Sequence, residues 1–464
     1  MKFSPDQQSA FDLMMEGKSV FLTGGAGTGK SAVTKRFLAN CTDRKIAALA
    51  STGAAALLVG GQTAASFFGL GINIHKPGTV AANRKTRRLL EKTDGFIIDE
   101  VSMSRIDTVQ AIHDTLKAFP KGPGPFFGYQ VIFVGDFAQL PPVIPTQEKE
   151  VLEFHYGKGK SFAFQADCWN DLEIANLTTV HRQSGDAKFK DWLNILRMGE
   201  VPDLSYINAR IDDADESAVC LVGSNKAAEI INSRKMADLK TQQHEFRGTV
   251  SGRISPSETK VPNEYALKVG SRVIICANNK NEGYANGSTG TFIGTGHHPK
   301  LGKSARVRLD NDFVVEVTKH KWEKLSYSLD WVENPKLDAH GNEIRDSLGN
   351  LETVRTREMV KTVEGTQEGI PLIPGWAITI HRSQGMSLPN VHIDTKGIFA
   401  SGQAYVALSR ATSLEGLTME NAMTSSAVRL DPAVRAYMKD ISAHRPAPVI
   451  FDHTERQAEL DIDF

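Results

Sequence analysis

One glycine-rich stretch near the start of the chain constrains the fold more than any other. Residues 24–31 are Gly-Gly-Ala-Gly-Thr-Gly-Lys-Ser, which fits the phosphate-loop pattern of glycine, four spacers and Gly-Lys-Ser. The apolar run at 19–23 predicts a buried strand before the loop, and apolar residues at helical spacing over 32–39 predict a helix after it. A strand, a glycine loop and a helix N-terminus surround an anion with backbone N–H groups. The stretch therefore predicts a nucleotide-phosphate site, where Lys30 reaches the β- and γ-phosphates and the Ser31 hydroxyl binds Mg²⁺.

Composition permits several domains and leaves the class of partner open. The chain has 464 residues, 41% hydrophobic and 23% charged, which suits two or three globular domains. Its 54 basic residues balance 54 acidic ones, so a polyanion would have to bind in a local groove. No apolar run is long enough to cross a bilayer, and the first residues do not resemble a secretory or transit peptide. The four isolated cysteines predict reduced thiols; we expect a cytoplasmic protein of a bacterial host or phage-infected cell, without membrane contact.

Two further apolar strands end in polar side chains that suit phosphate chemistry. The strand 96–98 is followed by Asp99 and Glu100, and the strand 130–134 leads toward Gln139. Strands alternating with helices, with polar residues at their carboxyl ends, predict a parallel sheet covered on both faces. One carboxylate at such a strand end can hold the water shell of a metal, and the next can activate an attacking water. Gln139 is placed either to touch a γ-phosphate or to form a turn.

The second half of the chain repeats this rhythm around an interruption. Helix and strand patterns restart at Leu177 and resume at Gly375, whereas short strands with Gly and Asn turns between about 248 and 367 predict a small inserted β-barrel. Within it, the polar stretch 334–352 predicts an exposed hairpin. In the first half, the stretch 70–88 predicts a loop or small hairpin insertion.

Several segments occur together in a diagnostic order. They are Gln7, Gly24–Ser31, Ser51–Ala55, Asp99–Met103, Pro125–Val143, His181–Gln183, Ala377–Gly385 and Ala404–Ser413. This series resembles the superfamily 1 DNA helicases of the RecD, Dda and Pif type, and most of all the Pif-type branch. The resemblance extends over about 3–417 and is weakest over 296–367.

The resemblance implies a fold and a division into domains. The expected fold class is α/β, with two RecA-like parallel-sheet domains, a small SH3-like β-barrel inserted in the second and a short hairpin or loop insertion in the first. The expected limits are 1–176 for the first RecA-like ATPase domain with a wedge-like insertion at about 70–90, 177–247 plus 368–440 for the second, 248–367 for the barrel, and 441–464 for a C-terminal tail.

The resemblance also implies an activity. The expected protein is an ATP-dependent DNA helicase and ATP hydrolase, with ATP and Mg²⁺ as cofactors, that moves 5′ to 3′ on single-stranded DNA in replication, repair or recombination. Single-stranded and tailed duplex DNA are the expected partners of a monomer, with replication or single-strand-binding proteins as candidate protein partners.

The roles that the resemblance assigns to single residues fall into four groups. Nucleotide binding is assigned to Gln7 at the adenine and to Gly25, Ala26, Gly27, Thr28, Gly29, Lys30 and Ser31 at the phosphates. Catalysis is assigned to Lys30, Glu100, Gln139 and the arginine fingers Arg182 and Arg410. Metal binding is assigned to Ser31 and Asp99, and DNA binding to Ser51, Thr52, Thr63, His381 and Ser383.

Departures from the family pattern leave some points open. Ala65 stands where the family often has His, and Arg382 where it usually has Lys. The basic run 84–88 either touches DNA or forms a solvated helix face, and Phe67 and Phe68 are expected in the core. Three rival functions are a helicase-like subunit of a larger recombination or nuclease complex, an NTP-gated single-strand-binding clamp that does not unwind, and a small-molecule phosphotransferase.

Overall fold

The computed structural model describes residues 3–51, 55, 62–71, 73–78, 80, 84–181, 186–213, 218–252, 261–277, 279, 281–284, 288–299, 302–309, 312–338, 343–384, 388 and 390–443. The α-helices are α1 (Pro5–Met15), α2 (Lys30–Asn40), α3 (Ala64–Phe68), α4 (Arg84–Glu91), α5 (Ile106–Ala118), α6 (Thr146–Tyr156), α7 (Ala187–Arg197), α8 (Leu204–Asn208), α9 (Asn225–Asp238), α10 (Gln403–Leu408) and α11 (Pro432–Ala443). Among these residues, no helix is long and apolar enough to cross a membrane.

The strands alternate with these helices at both ends of the chain and follow one another in the middle. They are β1 (Val20–Gly24), β2 (Ile46–Ala50), β3 (Gln62–Thr63), β4 (Gly95–Asp99), β5 (Gln130–Val134), β6 (Glu173–Leu177), β7 (Val219–Val222), β8 (Gln243–Arg247), β9 (Thr249–Gly252), β10 (Glu264–Lys268), β11 (Arg272–Ile275), β12 (Thr289–His298), β13 (Gly302–Leu309), β14 (Val314–Val317), β15 (His320–Pro335), β16 (Thr353–Gly369), β17 (Leu372–Pro374), β18 (Ala377–Thr379), β19 (Val391–Ile393) and β20 (Leu417–Met419).

The first lobe is built on a six-stranded parallel sheet with strand order β3-β2-β4-β5-β1-β6. Successive side chains of a strand point to opposite faces, and here both sets are apolar. Val20 and Leu22 pack with α1 and α2 on one face, whereas Phe21 packs with Trp169 on the other. Burial on both faces explains the near-continuous apolar strands of the sequence. Because β1, β4 and β5 run in the same direction, their polar carboxyl ends meet at one edge.

The second lobe is a four-stranded parallel sheet with strand order β18-β7-β19-β20. Asn232 on α9 ties the helix to the sheet, because its amide oxygen accepts from the Ala377 N–H at 2.8 Å and its amide nitrogen donates to the Ala377 carbonyl at 3.0 Å. The two parallel sheets correspond to the two α/β halves that the sequence predicts.

The last helix of the described chain, α11, packs on the first lobe. The Trp169 Nε1–H donates to the Tyr437 hydroxyl at 2.8 Å, and the Phe164 and Tyr437 rings stack with centroids 4.3 Å apart. The predicted second domain extends to residue 440, so most of α11 was expected in the second lobe. In the structure α11 packs on the first lobe. Of the predicted tail, residues 444–464 lie outside the described residues.

An inserted unit of antiparallel strands separates β7 from β18. Its main sheet has the order β14-β13-β12-β11-β17, and β8 pairs with β10 beside it. The unit has its own core, in which Phe292 is fully buried against Phe246. The range 248–367 remains a prediction for the limits of the barrel. Strand β8, which pairs with β10, precedes this range, and strand β17, which pairs with β11, follows it.

A long two-stranded ribbon, β15–β16, extends from the inserted unit. Its strands pair from His320 with Gly369 to Pro335 with Thr353, so the exposed hairpin predicted at 334–352 is the tip of a longer structure. These two strands were not predicted from the sequence. The base of the ribbon pairs with β9, and β15 lies against α6 of the first lobe.

The described residues of the stretch 70–83 contain no helix or strand, as predicted for a loop, whereas the helix that begins at residue 84 was not predicted. Helix α4 begins at Arg84, buries Leu90 and exposes Arg87 and Arg88. Exposed basic residues opposite a buried leucine form an amphipathic helix, and both predicted roles of the basic run, contact with DNA and a solvated face, remain predictions. Phe67 and Phe68 are buried, as predicted for core residues.

Arg105 anchors the loop that leads into this insertion. Its guanidinium donates to Asp107 at 2.8 and 2.9 Å, to Glu148 at 3.0 Å and to the Asn73 carbonyl at 3.0 Å. Asp107 also accepts from the His75 N–H at 3.0 Å. Because a guanidinium has a fixed fork of donors, this network holds the loop firmly on α5 and α6.

Candidate functional site

The phosphate loop joins the end of β1 to the start of α2, and its glycines have backbone angles that other residues avoid. The φ angles of Gly24, Gly27 and Gly29 are +148°, +79° and +84°, a region that side chains with a Cβ rarely enter. A Cβ on Gly24 would lie 2.6 Å from the Leu177 carbonyl oxygen. The loop therefore needs these glycines to bring its N–H groups around an anion.

Lys30 is fixed across the mouth of this loop. Its ammonium donates to the Gly24 carbonyl at 2.7 Å and to the Gly25 carbonyl at 3.1 Å. An ammonium has three donors, so one remains for a phosphate. Burial lowers the pKa of Lys30, and the charge of Asp136 opposes that effect. Ser31 follows in the exposed first turn of α2, as expected for a metal ligand beside the phosphates.

Gln7 is buried against the loop from the side of α1. Its amide nitrogen donates to the Thr28 carbonyl at 2.9 Å, and its amide oxygen accepts from the Ser4 N–H at 3.1 Å. The Thr28 hydroxyl donates to the Gly25 carbonyl at 2.9 Å. The predicted adenine-binding residue is thus oriented by the loop that binds the phosphates.

Asp6, next to Gln7, holds the chain where it leaves the first lobe. Its carboxylate accepts from the Thr178 and Thr179 N–H groups at 2.7 and 2.8 Å. Burial raises the pKa of Asp6, but hydrogen bonds from Ser4 and from these amides outweigh burial and lower it to about 2. Further along, the His181 N–H donates to the Gly27 carbonyl at 2.8 Å, so the connecting segment is attached to the phosphate loop.

Asp99 and Glu100 lie at the end of β4, as predicted. The Asp99 carboxylate accepts from the Glu100 N–H at 2.8 Å, and burial together with the Glu100 charge raises the pKa of Asp99 to about 7. Glu100 has a φ of +55°, an uncommon conformation for a residue with a side chain and one found at functional sites. The Gln384 amide of the second lobe donates to the Glu100 carboxylate at 3.1 Å.

A buried group of four residues joins the two lobes beside the loop; we name Ala26, Asp136, Arg197 and Tyr405 the Tyr405 cluster. The Tyr405 hydroxyl accepts from the Ala26 N–H at 2.7 Å and donates to the Asp136 carboxylate at 3.2 Å. Arg197 donates to both oxygens of Asp136 at 2.9–3.1 Å. Burial alone would raise the pKa of Asp136, but the charge of Arg197 outweighs burial and lowers it.

The remaining catalytic candidates are Gln139, Arg410 and Arg182. Gln139 is buried, and its amide oxygen has no hydrogen-bond partner within the described ranges. Gly402 of the second lobe packs on the carbonyls of Ala138 and Gln139. Arg410 is buried after α10, with its guanidinium donating to the Val406 carbonyl at 2.9 Å. Arg182 lies outside the described residues.

Two of the predicted DNA-binding residues, Ser51 after β2 and Thr63 on β3, lie on the side of β4 away from β1 and its phosphate loop. The Ser51 hydroxyl donates to the backbone carbonyls of Asp99 and Glu100. Thr63 is beside it on β3, because Ala50 and Thr63 are paired, and the Thr63 hydroxyl caps α3. Thr52 lies outside the described residues.

Two further candidates belong to the turn after β18. Burial lowers the pKa of the partly buried His381, and the Ser383 hydroxyl donates to the Ile380 carbonyl at 2.8 Å. Gln384 in the same turn contacts Glu100. The turn is therefore adjacent to Glu100, the predicted catalytic carboxylate, although the Ser383 side chain is fully buried.

Comparison with known proteins identifies the family. The PIF1-like helicase family model matches residues 2–206. The ATP-dependent DNA helicase Pif1 of Bdellovibrio bacteriovorus is 32% identical over 453 residues, covering 95% of this chain and 92% of that protein. The chain belongs to the PIF1-like helicase family. Solved structures agree: Bacteroides Pif1 bound to single-stranded DNA is 28% identical, covers 96% of this chain and 98% of that chain, and has a TM-score of 0.78.

The match confirms the family and the fold of two RecA-like domains with an SH3-like insertion that the motifs predicted. Unliganded Pif1 from Bacteroides is 27% identical, covers 96% of this chain and 98% of that chain, and has a TM-score of 0.61.

Four residues of this PIF1-like site received no role from the sequence, namely Asp136, Arg197, Gln384 and Tyr405. Tyr405 and Gln384 lie inside segments that the resemblance rests on, and a buried tyrosine or glutamine in such a segment is a recognisable polar exception. Arg197 ends an amphipathic helix, a position that normally indicates only a favourable helix-dipole contact. Its pairing with Asp136 depends on the fold and has no signal in the sequence.

Proposed function

We propose that this protein couples ATP hydrolysis to 5′-to-3′ movement on single-stranded DNA and thereby unwinds tailed duplex DNA. The observation that carries the proposal is contact of both lobes with one nucleotide site: Tyr405 meets the phosphate loop at Ala26, and Gln384 meets Glu100. Hydrolysis at such a site depends on how the lobes are placed, which is what a motor requires. A small-molecule phosphotransferase has no need of the second lobe.

The residues have separate roles in this chemistry. Gln7 binds the adenine, and the loop amides with Lys30 bind the phosphates. Glu100 orients and deprotonates the attacking water, and Gln139 contacts the γ-phosphate from the same edge. Arg410 and Arg182 neutralise the charge that develops on the transferred phosphoryl group.

The side chains present fit Mg²⁺. No cluster of three or more His, Cys, Asp or Glu side chains converges within the described residues, and Mg²⁺ typically uses one or two carboxylates while keeping water and phosphate oxygens. Ser31 and Asp99 would hold the ion, which when bound neutralises phosphate charge.

The strand would lie along the edge formed by Ser51, Thr52, Thr63, His381 and Ser383. Hydroxyl and imidazole groups contact phosphates without reading sequence. We further propose that the enzyme acts as a monomer in replication, repair or recombination, in the cytoplasm of a bacterial or phage-infected cell.

The site assignment is tested with Lys30→Ala and Glu100→Gln, and with Lys35→Ala as a control that removes an exposed lysine from the same helix. We expect both site variants to lose ATP hydrolysis stimulated by single-stranded DNA by at least about 100-fold, while they still bind the strand and Lys35→Ala behaves as wild type. Turnover retained in either purified site variant would refute the assignment.

Movement is tested separately by displacement of a labelled strand from duplexes with 5′ or 3′ tails. The proposal requires unwinding of the 5′-tailed duplex in the presence of ATP. A DNA-stimulated ATPase without displacement would favour the binding clamp, and displacement that appears only with copurifying proteins would favour a subunit of a larger complex.

A further inference from the structure

The Tyr405 cluster is a contact between the lobes that no assigned role explains. Its four members come from both halves of the chain: Ala26 and Asp136 from the first lobe, Arg197 and Tyr405 from the second. Asp136 and Tyr405 are almost completely buried, and only 14% of the Arg197 side chain is exposed. Burying a charged pair costs desolvation energy that packing alone would not require, so its position beside the phosphate loop calls for a specific reason.

The Tyr405 hydroxyl is fixed by a donor on one side and an acceptor on the other. It accepts from the Ala26 N–H at 2.7 Å and donates to Asp136 at 3.2 Å, and Arg197 holds the Asp136 carboxylate through a bidentate contact. A hydroxyl can satisfy both partners only in one orientation. These bonds therefore form only when the second lobe has reached one particular position against the loop.

The helix that bears Tyr405 also positions Arg410. Tyr405 is on α10, and the Arg410 Nε–H donates to the carbonyl of Val406, the next residue, at 2.9 Å. Another Arg410 nitrogen donates to the Ser409 hydroxyl at 2.9 Å. A displacement of Tyr405 away from the phosphate loop would consequently move Arg410 with it.

We propose that Tyr405 is a positioning residue for hydrolysis. It docks α10, whose Val406 carbonyl holds Arg410, onto the phosphate loop through the Ala26 amide, and the Asp136–Arg197 pair orients its hydroxyl. The proposal rests on the proposed function, because it assumes that Arg410 acts on the transferred phosphate. Tyr405 itself touches the loop backbone and not the reacting atoms.

The test compares Tyr405→Phe with Tyr129→Phe in the full-length protein. The control variant also removes the hydroxyl of a buried tyrosine. The Tyr129 hydroxyl donates to the Phe119 carbonyl at 2.8 Å, just before β5, at the edge of the first-lobe sheet opposite to the phosphate loop. We expect Tyr405→Phe to lower kcat for ATP hydrolysis on single-stranded DNA by about tenfold, with KM for ATP within about threefold of wild type, and Tyr129→Phe to leave both unchanged. A kcat within threefold of wild type, or a loss confined to KM, would overturn the proposal.

A second comparison distinguishes positioning from general damage. In an Arg410→Ala background, Tyr405→Phe should have no further effect on the residual rate, because its target is gone; a second, multiplicative loss would contradict the proposal. If Tyr405→Phe does not fold, Arg197→Lys takes its place, since lysine keeps the charge but lacks the bidentate fork, and unchanged kcat there would equally overturn it. Wild-type protein without DNA-stimulated turnover would instead refute the proposed function.

Discussion

Gly402 offers the sharpest test of whether the spacing of the lobes controls hydrolysis. Its φ is +73°, and a Cβ built there would lie 2.3 Å from the Gln139 carbonyl oxygen and 2.6 Å from that of Ala138. Both atoms belong to the backbone of the first lobe and cannot rotate away. Because ordinary contacts begin near 3.4 Å, Gly402→Ala must separate the lobes locally by about 1 Å.

The expected effect follows from that distance. A misplacement of about 1 Å at a catalytic site can reduce the rate by about 100-fold, so we expect a loss of that order in DNA-stimulated ATP turnover for Gly402→Ala. The positive φ adds a cost of about 1–2 kcal/mol in stability. Gly270→Ala is the matched control, because its φ is +92° and nothing lies within 4 Å of its Cβ position.

The assay is steady-state ATP hydrolysis with saturating single-stranded DNA, together with thermal unfolding of both variants. The two variants should unfold at temperatures within a few degrees of each other, and only Gly402→Ala should lose turnover. If Gly402→Ala kept more than about a third of the wild-type turnover, the spacing of the lobes at this contact would not limit hydrolysis and the reasoning would be wrong.

Two further predictions concern stability. The pKa of Asp6 is lowered to about 2, so its carboxylate stabilises the fold above its ordinary pKa of 3.8 and loses that effect as the pH falls through 2. The difference in the free energy of unfolding between wild type and Asp6→Asn should therefore be constant above about pH 5 and shrink below pH 4. A difference that does not change with pH would contradict this prediction. Arg105→Met leaves two buried carboxylates without their partner and should lower the free energy of unfolding, measured by urea denaturation, by about 3–5 kcal/mol. The control Arg87→Met removes an exposed ion pair and should lower it by less than about 0.5 kcal/mol. Equal losses in the two variants would disprove the role of the buried network.

The sequence predicted the elements whose information is local. The phosphate loop needs glycines at fixed positions, and the near-continuous apolar runs of β1, β4 and β5 reflect burial on both faces, so roles for residues such as Lys30 and Glu100 could be predicted without coordinates. Gln7 was assigned only through the resemblance, since its contact with the Thr28 carbonyl spans 21 residues.

What could not be predicted depends on long-range pairing. The contact between Ala26 and Tyr405 joins residues 379 positions apart, and the local patterns in which the two residues lie do not show that they meet. The strands of the β15–β16 ribbon are polar on much of their length, so alternation did not distinguish them from loops. Their pairing with each other and with β9, rather than their composition, makes them strands.

The β15–β16 ribbon also has a mechanical consequence. The ribbon originates in the insertion of the second lobe, and its strand β15 lies against α6 of the first lobe. Strand β15 has 16 residues and is therefore about 50 Å long. A rotation of roughly 10° at the base would sweep the far end through about 9 Å, more than two base-pair steps of duplex DNA. A small closing motion at the nucleotide would thus be amplified by a lever, and the surface of α6 would serve as its guide.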